Sequence, residues 1–274
     1  MGPYSLCFTV DYRYVSVLRV LIHSLVKTHP GEKFDLYILH KSLSDADIVS
    51  LEQVAPSITN IIPIVVNDEL FNNAPTSRRY PKEIYFRLFA SYYLPIKLDR
   101  ILYLDPDIIC VNSMDHFYHQ DFGDALFIGA THMFPFLQRL NELRLGLKSN
   151  TPYMNTGVML LNLDKLRLVQ KQEDILTFIQ SHKALLFLPD QDILTSLYGN
   201  HLKLVDPMIY NLSDRFLKQY STKNRIKISL AWVKEHTVFI HYCGRNKPWK
   251  SPYFGVLNVF YSQTIASMHK GDCQ

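Results

Sequence analysis

Short apolar runs alternate with amphipathic stripes through the amino-terminal part of the chain, and this alternation constrains the fold more than any other feature. Ser5 to Val10 has strand length and ends at Asp11. Tyr14 to Thr28 carries Val15, Leu18, Ile22 and Leu25 on one helical stripe, and His29-Pro30-Gly31 stops it. Phe34 to Leu39 is a second strand. Ser44-x-x-Asp47 has the form of a capping box opening a helix through Ile48, Leu51 and Val54. Asn60 to Val66 is a third strand, and Pro63 within it predicts a place near a sheet edge. A polar stretch from Asn67 to Arg79 precedes a helix expected over Pro81 to Leu94, and Arg100 to Leu104 is a fourth strand. This order predicts an α/β fold: a mostly parallel, Rossmann-like sheet flanked by helices on both faces. Such sheets bind ligands beyond the carboxyl ends of their strands.

The fourth strand runs directly into Asp105-Pro106-Asp107. Residues two apart in extended chain point to the same side, so both acids can converge on one point. Two like charges at the end of a buried strand are costly unless a cation neutralises them, and a divalent metal with hard oxygen ligands does so. Asp-Pro-Asp is also ordinary turn chemistry. What favours the metal is that Asp11 falls at a second strand end of the same sheet.

The second half alternates less regularly. Asp124 to Ala130 reads as a strand and Phe134 to Leu147 as a helix with Leu137, Leu140, Leu143 and Leu147 recurring. Asn155-Thr156-Gly157 leads into another apolar run. Pro189 is placed to open a helix that begins Asp190-Gln191-Asp192. Thr237 to Ile240 is a last strand, followed by His241, Gly244 and Lys247, and an amphipathic helix runs through Leu257, Tyr261 and Ile265. No repeat or linker interrupts this order, so residues 1–274 are expected to form a single domain.

Composition excludes several classes. At 47% hydrophobic and 20% charged the chain can bury a core and is not disordered. A net charge of +4 is too mild to mark a nucleic-acid binder. Cys7, Cys110, Cys243 and Cys273 show no metal-binding or paired spacing and read as reduced thiols. The first eleven residues lack a basic segment and meet an acid early, which does not fit a signal peptide, and no apolar run approaches the roughly 20 residues of a spanning helix. A cytoplasmic protein is expected. The basic run from Lys218 to Lys227, with Arg215, reads first as a solvated helix face and second as a peripheral contact for an anionic membrane.

His241 after an apolar run is either a satisfied structural histidine or a third metal ligand. Two carboxylates and an imidazole suit Mn²⁺, with Mg²⁺ as the alternative, and leave positions open for phosphate oxygens. Gly244 lets backbone N–H groups approach an anion and Lys247 adds a point charge; a solvated surface turn is the other reading. The clusters Asn155-Thr156-Gly157 and Asp190-Gln191-Asp192 carry the amides and carboxylates that bind hydroxyl-rich ligands, although Asp190 could equally serve a helix amino terminus.

These stretches together resemble glycosyltransferase family 8, the retaining nucleotide-sugar transferases of GT-A fold, and within it the bacterial lipopolysaccharide-type galactosyl- and glucosyltransferases. The resemblance spans most of the chain. It is carried by Phe8-Thr-Val-Asp11-x-x-Tyr14, Tyr85-Phe-Arg87-Leu, Leu102-Tyr-Leu-Asp105-Pro-Asp107, Asn155-Thr-Gly157-Val, Asp190-Gln-Asp192-Ile and His241-Tyr-Cys-Gly244-x-x-Lys247-Pro-Trp249. It implies a Mn²⁺-dependent hexosyltransferase using a UDP-sugar, UDP-galactose or UDP-glucose, and a glycan, glycoprotein or glycolipid acceptor. By the same resemblance Asp11 and Tyr14 hold the uridine, Asp105, Asp107 and His241 the metal, and Gly244 and Lys247 the diphosphate. Arg87, Asn155, Thr156, Asp190 and Gln191 surround the donor sugar. Asp190, Gln191 and Asp192 are the catalytic candidates, with the Gln191 amide below the anomeric carbon, which favours same-face departure and attack, and Asp192 as the other candidate nucleophile. Tyr12 and Arg13 depart from the acid and Asn that many relatives carry there. An inactive UDP-sugar-binding protein and an Asp-x-Asp phosphatase are the competing readings.

Overall fold

A computed structural model describes residues 2–77 and 80–271; Arg79 and Cys273, named above, lie outside the described residues. The strands are β1 (Tyr4–Thr9), β2 (Phe34–His40), β3 (Thr59–Val65), β4 (Arg100–Leu104), β5 (Ile108–Cys110), β6 (Phe127–Ala130), β7 (Val158–Asn162), β8 (Leu202–Val205) and β9 (Phe239–His241). Seven of them form one sheet in the order β3-β2-β1-β4-β7-β6-β8. β1 pairs in parallel with β2 and β4, β2 with β3, and β6 with β8, while β7 runs antiparallel to both its neighbours. β3 is an edge strand, as Pro63 predicts, since a proline cannot supply a ladder donor on both sides.

Alternation along the central strands divides the core between the two faces of this sheet. Leu6, Phe8, Leu36, Ile38, Leu102 and Leu104 pack on one side. Cys7, Tyr37, Leu39, Ile101, Tyr103 and Met159 pack on the other. Runs buried on both faces are what parallel strands require. A third cluster, including Val20, Ile109, Ile240, Leu257 and Phe260, covers a separate two-stranded sheet made of β5 and β9. The last strand therefore does not extend the main sheet; it pairs with the short strand that follows Asp107.

The helix Val15–Thr28 forms as the stripe predicts, and its Ser24 hydroxyl accepts the Cys110 N–H at 2.9 Å, bracing β5. The segment expected as a helix over Pro81 to Leu94 is instead a 3₁₀ segment, Lys82–Phe89, followed by one α-turn, Ala90–Tyr93. Tyr85 to Phe89 are five consecutive buried residues, so this segment has no solvent face of the kind an amphipathic α-helix presents. Its partners lie across the fold: the Tyr85 hydroxyl donates to Pro75 O at 2.6 Å and Arg87 to Thr156 O at 3.1 Å.

The capping box opens the helix Asp45–Glu52: Ser44 Oγ accepts from Asp47 N at 3.2 Å and Asp47 Oδ2 from Ser44 N at 3.0 Å. Ser44→Ala should cost about 1 kcal/mol, read as a melting temperature lowered by roughly 2–4 °C. An unchanged midpoint would remove the cap from the list of stabilising features.

Candidate active site

Every main-sheet strand except β7 runs in one direction, so most carboxyl ends share an edge. Asp105 follows β4 there, and Asp11 lies just beyond β1. Because β7 is reversed, its amino end joins them: Leu104 is opposite Val158, and Asp105 N donates to Gly157 O at 2.8 Å. This reversal brings Asn155, Thr156 and Gly157 to the two acids. The β5–β9 ladder supplies the remaining side chain. Ile108 is in register with His241, and Tyr242 N donates to Asp107 O at 2.9 Å.

Asp105, Asp107 and His241 thus converge, each offering a ligand atom within 4.8 Å of the others. His241 Nε2 lies 3.1 Å from Asp107 Oδ1 and 3.7 Å from Asp105 Oδ2. The other oxygen of each acid is held by a cation. Asp105 Oδ1 faces Arg87 at 2.9 Å and accepts from the Tyr103 hydroxyl at 3.0 Å. Asp107 Oδ2 accepts from the Lys247 ammonium, which also donates to Tyr242 O at 2.9 Å. One oxygen from each acid and one imidazole nitrogen therefore face a common point. A mixed O/N set of this kind fits a hard divalent cation.

Electrostatics follow from the packing. Burial works against ionisation of Asp107, but Lys247 and His241 outweigh it and hold the carboxyl well below the usual range. Burial lowers the proton affinity of the His241 imidazole; Asp107 and Asp105 more than reverse that, so a proton and a metal compete for the same position. Asp190 is pushed up by burial, opposed by Arg87 at 3.2 Å and by the Thr156 hydroxyl, which donates to it at 2.6 Å. Arg87, buried and stacked 4.7 Å from the Tyr103 ring, so links Asp105, Asp190 and Thr156.

One close approach and one backbone angle explain two glycines. A Cβ on Gly157 would lie 2.2 Å from His241 Cε1 and 2.9 Å from Asp105 Oδ2, so only glycine fits beside the cluster. Gly244 has φ +98°, a conformation other residues adopt at a cost, and space around its Cα is open.

The remaining expected residues divide. Tyr14 lies edge-on to Trp249 at 6.0 Å between centroids, close to Lys247. Asp11 is engaged by Arg13, whose backbone N–H and Nε donate to it at 2.9 and 3.0 Å. Gln191 is half-buried and has no polar partner among the described residues. Asp192, expected as a candidate nucleophile, has a different setting. It is fully buried, and its two oxygens accept from Arg144 at 2.7 and 2.9 Å, Tyr153 at 2.8 Å and the N–H groups of Phe187 and Leu188. Residues two apart on a helix are about 200° apart, so Asp190 and Asp192 face opposite ways and only Asp190 meets the Arg87 network.

Asn211 has no counterpart among the expected residues. Completely buried, it meets His241 Nδ1 with Oδ1 at 2.9 Å and donates from Nδ2 to Asn155 Oδ1 at 3.0 Å, which also accepts Gly157 N–H at 3.1 Å. An amide oxygen on Nδ1 fixes the tautomer that turns the Nε2 lone pair toward the acids. Nothing local marks Asn211, which precedes His241 by thirty residues. Tyr103 could have been found, since it is two positions before Asp105 on the same strand face.

Fold and site together define a GT-A domain with a metal-competent acidic cluster. Residues 5–252 match the family description "Glycosyl transferase family 8". A lipopolysaccharide 1,2-glucosyltransferase of Escherichia coli is 30% identical over 250 residues, covering 90% of this chain and 73% of the relative. A lipopolysaccharide 1,3-galactosyltransferase of Salmonella typhimurium is 24% identical, covering 90% and 73%. Among solved structures, the galactosyltransferase LgtC in complex with donor and acceptor sugar analogs superposes with a TM-score of 0.82 at 24% identity, over 96% of this chain and 95% of that one. The chain belongs to glycosyltransferase family 8 and is a glycosyltransferase.

Asn211→Leu should weaken divalent-cation binding at this cluster by about 10- to 100-fold, measured by calorimetry with Mn²⁺ as the probe; unchanged affinity would show that His241 is oriented without it. Asp192→Ala should cost about 3 kcal/mol by stranding the Arg144 guanidinium, seen as a lower unfolding midpoint, and an unaltered midpoint would show that the pair is dispensable.

Proposed function

We propose that this glycosyltransferase moves a hexose, glucose or galactose, from a UDP-sugar to a hydroxyl of a glycan or glycolipid acceptor, retaining the anomeric configuration. The observation that carries this reading is the convergence of Asp105, Asp107 and His241, with Lys247 beside them, at the strand ends of a GT-A sheet. The relatives' activities on lipopolysaccharide sugars, glucosyl in one and galactosyl in the other, support the donor class and the glycolipid acceptor.

Mn²⁺, or Mg²⁺ in its place, would be held by Asp105, Asp107 and His241 and would supply electrostatic relief for charge developing on the departing diphosphate. Lys247, on the far oxygen of Asp107, is placed to share that charge, and Gly244 leaves room for backbone approach. Asp11 and Tyr14 take the nucleoside, which then competes with Arg13 for the Asp11 carboxylate. Arg87, Asn155, Thr156 and Asp190 form the sugar side of the pocket, with Arg87 and the Thr156 hydroxyl holding Asp190 in place.

Retention needs either a nucleophile below the anomeric carbon or departure and attack on one face. The family resemblance puts the Gln191 amide below that carbon, and the two neighbouring acids are engaged elsewhere, Asp192 by Arg144 and Asp190 by Arg87 and Thr156. An amide is a poor nucleophile. Same-face departure and attack is the mechanism this arrangement supports, with Asp192 positioning the helix that carries Gln191.

A panel of UDP-sugars with Mn²⁺, scored for UDP release with and without glycan acceptors, tests the reaction. UDP-glucose or UDP-galactose should turn over, and tight UDP binding with no release from any donor would overturn it. Asp107→Ala should lower turnover at least about a thousandfold, whereas Gln191→Ala should leave measurable transfer. Equal losses in both would count against the same-face mechanism.

A further inference from the structure

The helix Pro135–Leu145 is oriented inside out. At about 100° per residue, Phe136, Leu140 and Leu143 share one stripe, and they are 73%, 48% and 69% exposed. The opposite side, with Gln138 and Glu142, and one flank, with Arg144, turn polar groups inward. Glu142 is 5% exposed and accepts the Asn150 N–H at 2.7 Å, Gln138 donates to Thr151 O at 3.1 Å, and Arg144 makes the buried pair with Asp192. The exposed apolar face is therefore fixed outward by hydrogen bonds and an ion pair. Phe187, 66% exposed, extends the patch beneath the Arg144 guanidinium at 4.5 Å.

The surroundings are cationic. Between residues 131 and 151 the only acid is the buried Glu142, and between 182 and 188 there is none. The helix Asp214–Asn224 adjoins the patch: Phe134, at its start, stacks on Phe216 at 5.8 Å and lies beneath Lys223 Nζ at 5.5 Å. Arg215, Lys218 and Lys223 on that helix are exposed, and its one acid, Asp214, faces inward to Tyr253 and Leu257 N. This helix holds part of the basic run that the sequence marks, and it packs on Phe134, the residue that opens the helix bearing the apolar stripe.

We propose that Phe136, Leu140, Leu143 and Phe187, with Lys218 and Lys223 alongside, dock the enzyme on an anionic lipid surface. Apolar side chains that enter the headgroup boundary beside lysines suit such a surface. The segment carrying the patch is tied to the site on both sides, through Arg144 to the helix bearing Asp190 and through His132, ahead of the helix, which contacts Asn211 O at 2.5 Å. A glycolipid acceptor held in that surface would be presented at the strand ends. That link rests on the transferase reading, whereas lipid binding itself does not.

Sedimentation of the full chain with vesicles, one set phosphatidylcholine alone and one with phosphatidylglycerol added, tests it at about 0.15 M salt. The protein should bind the anionic set preferentially. The triple variant Phe136→Ser, Leu140→Ser, Leu143→Ser should lose at least about a hundredfold in partition, and Lys218→Gln with Lys223→Gln about twentyfold. The triple variant should keep the wild-type unfolding midpoint and the wild-type rate of UDP-sugar hydrolysis by water, because its residues are exposed and outside the site. Absence of wild-type binding, unaltered binding by the triple variant, or a wild-type dimer that the triple variant makes monomeric would each overturn the proposal. Vesicle binding by a protein that releases UDP from no donor would sink the transferase reading alone.

Discussion

Two carboxylates at the end of a buried strand repel one another, and the site is organised around offsetting that repulsion. Arg87 takes the outer oxygen of Asp105 and Lys247 that of Asp107, both cations buried and both drawn from distant segments. Neither cation occupies the space between the acids. The inner oxygens stay directed at His241 Nε2. Three carboxylates, counting Asp190, meet two fixed cations, and the remaining negative charge is what a bound metal, or a proton on His241, neutralises.

Topology makes this convergence affordable. A wholly parallel sheet would have sent the amino end of β7 to the far edge, and Asn155 to Gly157 with it. The single reversal places those residues against Asp105 and lets one carbonyl, that of Gly157, accept the Asp105 N–H. The same turn then leaves no room for any side chain at 157, because the imidazole occupies that space. Asn211 and Asn155 close the arrangement from behind with a hydrogen-bonded pair of amides. Buried polar chains of this kind hold a geometry when every member is satisfied.

Much of this was legible in the sequence, for identifiable reasons. The strands β1 to β4, the capping box at Ser44 and the edge placement of Pro63 follow from local pattern, which is clearest in β1, β2 and β4 because they are buried on both faces. The metal-competent trio was legible because the two acids are two positions apart after a buried strand and the histidine follows an apolar run. What was not legible depends on partners far away in the chain. The reversal of β7 and the pairing of β9 with β5 are long-range choices, the 3₁₀ form of Lys82–Phe89 reflects tertiary hydrogen bonds, and Asn211 is defined only by what it touches. Asp190 and Asp192 look alike in sequence and differ by half a helical turn.

The β5–β9 ladder has three residue pairs, Ile108 with His241, Ile109 with Ile240 and Cys110 with Phe239. Side chains alternate along it, so a slip of one position would bury the imidazole in the third hydrophobic cluster and deliver Ile240 to the acids. Length changes in the loops between Leu212 and Phe239 are thus tolerable in principle, while an insertion or deletion inside the ladder would abolish the nitrogen donor in one step. Grafting the carboxyl-terminal arm of another family member onto this sheet would succeed or fail on whether that short zipper keeps its phase.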